Sequence, residues 1–177
     1  RLIMLINDIL DIDKIAAGEM RFDIQTHKVS DLVGRAIKVN QSYAEKFGVT
    51  IESTEPSRTW KIRADEARFI QVMSNLISNA VKFAGDAQKV LVHAKRKDRK
   101  IRICVTDRGA GIPEEFHARI FEKFAQADSS VARKKEGSGL GLHISRQLIE
   151  AMGGQIGFDS EAGVGTTFWI EFSGIGI

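Results

Sequence analysis

Three polar side chains, Asn75, Asn79 and Lys82, recur at helical spacing within the run FIQVMSNLISNAVKF. Residues four apart stack on one helix face, and Lys82 follows three positions after Asn79. Two amides and an ammonium on one face can hold a hydrated cation and a phosphate chain together. Magnesium takes oxygen ligands and keeps several waters, so one amide oxygen plus phosphate oxygens suffices. The alternative for the same residues is an ordinary solvated face. Two glycine clusters could serve the same kind of ligand: Gly109 and Gly111 in DRGAGIP, and Gly137, Gly139 and Gly141 in GSGLGL. Glycine lets a backbone approach a ligand closely. A glycine-rich loop feeding a helix N-terminus offers an anion free N–H groups and the positive end of the helix dipole. For any single glycine, loop punctuation is the alternative.

Several commoner chemistries are missing. No GxxxxGK run followed by Ser or Thr is present, no GxGxxG follows a strand, and the HRD and DFG elements of protein kinases are absent. His27, His93, His117 and His143 are scattered, without zinc-ligand spacing, and read as structural. There is no GxSxG nucleophile elbow.

The residues singled out need elements to position them. Asp65 caps the longest central helix, over 65–84, in which Phe69, Val72, Met73, Leu76, Ile77, Ala80 and Val81 form the apolar stripe. KVLVHAKRK and KIRICVTD, joined by Asp98-Arg99, alternate and are rich in Val and Ile, which predicts an antiparallel hairpin ending just before DRGAGIP. Pro113 suits the first turn of a short helix through Ile120. Residues 125–138 are polar and aperiodic and read as a mobile loop. A helix from about Leu140 to Met152 ends at Gly153-Gly154, and strands QIGFDS and TTFWIEF close the chain.

Nearer the N-terminus, Met20, Phe22 and Ile24 alternate with polar residues and predict a strand. Ser30 or Asp31 caps a helix to about Phe47 with the stripe Leu32, Val33, Ala36, Ile37, Val39 and Tyr43. Short strands are predicted near Val49–Glu52 and Trp60–Ile62. Before them, Leu2, Leu5, Ile9, Ile12 and Ala16 have the three-four spacing of a bundle seam, and Gly18 ends that helix. Strands joined mostly by hairpins, with three main helices between them, predict an α+β fold: a two-layer α/β sandwich with a mixed, mostly antiparallel sheet and the helices on one face.

Composition sets outer bounds. With 43% hydrophobic and 28% charged residues in 177, the chain can bury a core, and the composition disfavours disorder or a collagen-like repeat. The single cysteine, Cys104, can form no internal disulfide. Twenty-six basic against 23 acidic residues give only +3, too little for a nucleic-acid-binding surface. No apolar run approaches the roughly 18 residues of a membrane helix. Opening at Arg1 inside a periodic pattern, the sequence reads as a piece of a longer polypeptide.

Taken together, the segments resemble the ATP-binding catalytic domain of sensor histidine kinases, in the superfamily that also holds the DNA gyrase ATPases, the mismatch-repair ATPases and a heat-shock chaperone. NLISNAVKF resembles the N box, DRGAGIP the first glycine box, IFEKF the F box, GSGLGL the second glycine box and GVGTTF the closing glycine-threonine element, in the family's order. LINDILDIDKIAAGEM resembles the end of the second dimerisation helix and its connector, so residues 1–18 are expected to belong to the dimerisation domain and 19–177 to the catalytic domain. The resemblance implies that Asn79 coordinates magnesium, Asn75 supports the site, Lys82 contacts phosphate and Phe83 lines the pocket. It implies that Asp107 accepts a hydrogen bond from the adenine amino group, that Gly109, Gly111 and Ile112 shape the adenine pocket, and that Thr166 holds the adenine end. Gly137, Gly139 and Gly141, with Ser138, Leu140 and Leu142, would wrap the phosphates. Arg133 would reach the transferring phosphoryl group, and Phe121 and Phe124 would anchor the base of the lid.

The expected activity is therefore binding of magnesium-ATP and transfer of its γ-phosphoryl group to a histidine on a dimerisation helix, with relay to a response-regulator aspartate. The expected setting is a cytoplasmic homodimer. Two departures qualify this. No histidine here lies in an HExRTP-like context, so the chain alone is not expected to phosphorylate itself. Glu136 stands where these kinases often carry glycine and brings negative charge to the lid. The rival readings are a non-catalytic ATP sensor or scaffold, a gyrase-like ATPase and an interaction module. Phe69 to Asn79 contains no acidic residue to act as base for water, which argues against hydrolysis.

Overall fold

The computed structural model describes residues 2–54, 56–125 and 138–176, with side chains from Ile6 onward. The described elements run α1 (Leu2–Ala16), β1 (Gln25–Lys28), α2 (Val29–Lys46), β2 (Thr50–Ser53), β3 (Lys61–Ala64), α3 (Glu66–Phe83), β4 (Lys89–Lys97), β5 (Lys100–Asp107), α4 (Gly141–Ala151), β6 (Gln155–Glu161) and β7 (Gly165–Ser173). The main sheet has the order β2-β4-β5-β7-β6, with β2 parallel to β4 and every other pair antiparallel. A two-stranded ribbon, β1 against β3, lies beside it.

One sheet face carries Val90, Val92, Ile101, Ile103, Val105, Phe168, Ile170 and Phe172, all buried in one core with the apolar faces of α2, α3 and α4. This is the expected two-layer sandwich. The opposite face is a polar lattice: Arg102 stacks 3.7 Å over the Trp169 ring and donates to Glu171, which also accepts from Lys100.

All the predicted apolar positions of α3 are buried, and Asp65 caps it by accepting from the Arg68 N–H. Its other carboxylate oxygen accepts the Asp23 N–H, tying the preceding segment to the same helix start. The short helix after Pro113 is a 3-10 helix, Glu114–Arg119.

Three readings near the N-terminus are corrected. Met20, Phe22 and Ile24 do alternate inward, but their backbone joins no ladder, and pairing begins only at Gln25. Neither Ser30 nor Asp31 caps α2; β1 runs directly into it, and the Val29 N–H is taken by the Trp60 carbonyl. Val39 is 64% exposed, while Asn40 occupies the inward stripe because it lies four residues after Ala36, whose carbonyl its amide reaches, along with Ser74. Of the predicted α1 seam, Ile12 turns onto the core and Ile9 is exposed. Asp11 accepts from Arg68 and Gln71, fixing α1 to the start of α3.

Candidate functional site

The site begins at the end of β5. Register places the last residue, Asp107, between Val90 of β4 and Thr166 of β7, with Ser160 of β6 beyond Thr166. Directly opposed residues on one face have Cβ atoms about 5 Å apart, so the row forms a contiguous polar end to an otherwise apolar sheet face. Asp107 and Thr166 are 5% and 6% exposed. Asp107 Oδ1 accepts the Gly109 N–H at 2.9 Å, which fixes the carboxylate at the mouth of the strand. A Cβ at Gly109 would overlap the Phe83 carbonyl oxygen, so only glycine lets DRGAGIP meet the last turn of α3. The same segment is clasped to the β6–β7 turn: Gly111 lies against the Glu161 carbonyl, the Gly163 N–H donates to Ala110, and the Ile112 N–H donates to Ser160 Oγ.

The second part lies where α3 meets the start of α4. Asn75 Nδ2 donates to Ser145 Oγ at 3.0 Å, and a Cβ at Gly141 would overlap Asn75 Oδ1. The amide is thus held between the glycine-rich segment and α4. Asn79 follows one turn later and Lys82 nearly another, both half-buried, with Phe83 at the helix end. Phe83 lies eight residues from Asn75, about 12 Å along the axis. The face therefore spans the distance from the Asp107 end to the glycine loop. Leu140, the N-cap of α4, supplies no side-chain cap to the first N–H groups of that helix, the end at which a helix favours an anion.

The remaining predicted residues divide between these parts. The Leu140 side chain is fully buried, so any contact it makes with a ligand is through backbone; its N–H donates to Ser138 Oγ. Leu142 is half-buried. Phe121 packs on the Phe158 and Phe168 rings, whereas Phe124 is 66% exposed and is held by its backbone N–H, which donates to the Gly139 carbonyl. His143 donates to the Phe121 carbonyl and His117 to that of Ile112, each bracing a loop. Arg133, Glu136, Gly137 and most of the polar segment at 125–138 lie outside the described residues.

Chemically, one end of the site offers buried oxygen acceptors, and the other offers amides, backbone N–H groups and an ammonium. That polarity suits an elongated ligand with a hydrogen-bond donor at one end and anionic charge at the other. Among the described residues no group of three or more His, Cys, Asp and Glu side chains is placed to hold a metal. A divalent cation here would rest on the Asn79 amide oxygen and the ligand's own oxygens, a donor set that fits magnesium.

Sequence reasoning missed two residues, Ser145 and Ser160. Ser145 lies four after Gly141 and so on the same face of α4. Ser160 faces Thr166 once the hairpin register is counted back from its turn.

A family model described as histidine kinase-, DNA gyrase B-, and HSP90-like ATPase matches residues 64–174. The circadian input-output histidine kinase CikA of Synechococcus elongatus is 37% identical over 96% of this chain and 23% of its own length. The sensory/regulatory protein RpfC of Xanthomonas campestris is 35% identical over 96% of the chain and 24% of its own. The chain thus spans about a quarter of these relatives. Among solved structures, full-length ShkA in complex with AMPPNP superposes with a TM-score of 0.83 at 33% identity, covering 98% of this chain and 36% of that one.

Proposed function

Because the chain belongs to the family of histidine kinase-, DNA gyrase B- and HSP90-like ATPases, we propose that it binds magnesium-ATP and donates the γ-phosphoryl group to a histidine on the dimerisation helix of a sensor histidine kinase, for relay to a response-regulator aspartate. The observation that carries the nucleotide reading is the buried Asp107, fixed by Gly109 and set beside Thr166, at one end of a face that leads to Asn75, Asn79 and Lys82. Asp107 accepts from the adenine amino group, and Gly109, Gly111, Ile112, Phe83 and Thr166 enclose the base.

Phosphoryl transfer asks mainly for positioning and for neutralisation of charge. Lys82, the first amides of α4 and the segment carrying Gly137, Gly139 and Gly141 hold the phosphates, with Arg133 at the transferring group. Asn79, oriented on the face that Asn75 and Ser145 brace, supplies the protein oxygen for magnesium, which when bound would neutralise phosphate charge. No carboxylate lies between Phe69 and Asn79 to deprotonate water, which supports transfer to an acceptor over hydrolysis. Residues 1–18 are then the end of a dimerisation helix and 19–177 the catalytic domain, in a cytoplasmic homodimer. In the described residues no helix is long and apolar enough to cross a membrane.

A chimera tests the transfer step. Residues 1–177 replace the matching segment of the CikA relative, and γ-labelled ATP is added. Label on the chimera, lost in Asn79→Asp, is the expected result. Nucleotide binding without label would leave an ATP-binding sensor or scaffold.

A further inference from the structure

Ser160 shares the cross-strand row of Asp107 and Thr166, and its hydroxyl oxygen has three partners. These are the Ile112 N–H at 2.8 Å, the Gly165 carbonyl at 3.1 Å and Thr166 Oγ1 at 2.8 Å. A serine hydroxyl has one proton and two lone pairs. An amide N–H only donates, and a carbonyl only accepts. All three contacts are satisfied together in a single arrangement: Ser160 donates to Gly165 and accepts from both Ile112 and Thr166. The Thr166 proton is thereby committed to Ser160. What Thr166 can offer a neighbouring ligand is lone pairs alone. Beside it, Asp107 Oδ1 already accepts the Gly109 N–H.

We propose that Ser160 is a specificity-determining positioning residue: by taking the Thr166 proton it leaves the Thr166 hydroxyl at the base end of the site an acceptor only, so that the site takes a purine bearing an amino donor at C6 and rejects a 6-oxo purine. This rests on the nucleotide reading above. A 6-oxo group set against Thr166 leaves two acceptors facing each other, desolvated and unpaired, and a site built this way discriminates strongly. Without the Ser160 hydroxyl, Thr166 can rotate and donate, and the 6-oxo purine gains the bond it lacked.

Inosine triphosphate is the probe, because it differs from ATP only in the 6-oxo group and the proton it brings to N1. Calorimetric titrations compare magnesium-ATP with magnesium-inosine triphosphate on the full chain. The unsubstituted chain is expected to prefer ATP by about a hundredfold or more. Ser160→Ala narrows that ratio about tenfold, the scale of one hydrogen bond, chiefly through tighter inosine triphosphate binding. Ser160→Thr, which keeps the hydroxyl, restores the ratio, and in a Thr166→Val background Ser160→Ala narrows it no further. If alanine costs the fold, Ser160→Cys, with its much weaker hydrogen-bonding group, takes its place under the same expectation. An unchanged ratio, an equal loss of both nucleotides, or a Ser160 effect that persists without the Thr166 hydroxyl overturns the proposal and leaves the ATP reading standing. Failure of the unsubstituted chain to bind either nucleotide removes the ATP reading itself, and this proposal with it.

Discussion

Gly109 and Gly34 make opposite predictions about the same change. At Gly109 an added Cβ meets the Phe83 carbonyl oxygen, so the end of α3 or the DRGAGIP segment must shift. Gly109→Ala is expected to cost about 1–3 kcal/mol, read from the urea midpoint. Gly34 is exposed within α2 with nothing near its missing Cβ. Gly34→Ala should instead stabilise by about 0.5–1 kcal/mol, because alanine has less backbone freedom to lose. The contrast separates a glycine required by close approach from one that is merely tolerated. Ser145 tests the site itself. Removing its hydroxyl releases Asn75 Nδ2 from its partner, so Ser145→Ala should weaken magnesium-ATP binding several-fold in calorimetry, at the scale of one hydrogen bond. Unchanged affinity would show that Asn75 needs no such anchor. Asn75, Asn79, Lys82, Asp107 and the glycines can be proposed from the sequence because their types and spacing are local. Ser145 and Ser160 cannot, because their partners, Asn75 and Ile112, lie 70 and 48 residues away.

At the scale of elements, Asp65 joins two segments. One oxygen caps α3 and the other takes the Asp23 N–H. Asp65→Ala removes the cap and leaves a part-buried donor without its partner, for a combined cost of about 2–3 kcal/mol in chemical denaturation. Asp65→Asn, which still caps, should lose less; equal losses would mean that the charge, not the cap, matters. The same region shows where sequence pattern stops informing. The period of α3 and the alternation of β4 to β7 are complete within each segment, so those elements were legible. The start of α2 depends on Trp60, some thirty residues away, and no cap residue announces it. At Met20, Phe22 and Ile24 alternation reported burial correctly but could not report pairing, which depends on where β3 lies. Val39 was placed by its apolarity, yet Asn40 holds the inward position because it has two partners there.

At the scale of the molecule, the outer face of the sheet is tied by charge between Lys100, Arg102 and Glu171. Burial pushes the Glu171 carboxyl upward, but hydrogen bonds from Lys100 and Arg102 outweigh it and hold its pKa below the usual glutamate value. As pH falls below the ordinary range near 4.3, the unfolded chain takes up the proton first. The stabilisation is therefore complete above that range and is lost as pH falls through the lower folded value. Thermal unfolding of the unsubstituted chain and of Glu171→Gln should differ most near neutrality and converge in acid; a gap independent of pH would assign the effect to packing against Trp169. On the other face, the apolar core of sheet and helices places Asp107 beside the end of α3, and function rests on what that juxtaposition binds. Calorimetric titration of magnesium-ATP into the chain and into Asp107→Asn tests it most directly. Saturable binding by the unsubstituted chain, abolished by the substitution, is the predicted result. No binding by the unsubstituted chain, or equal binding by both, would contradict it.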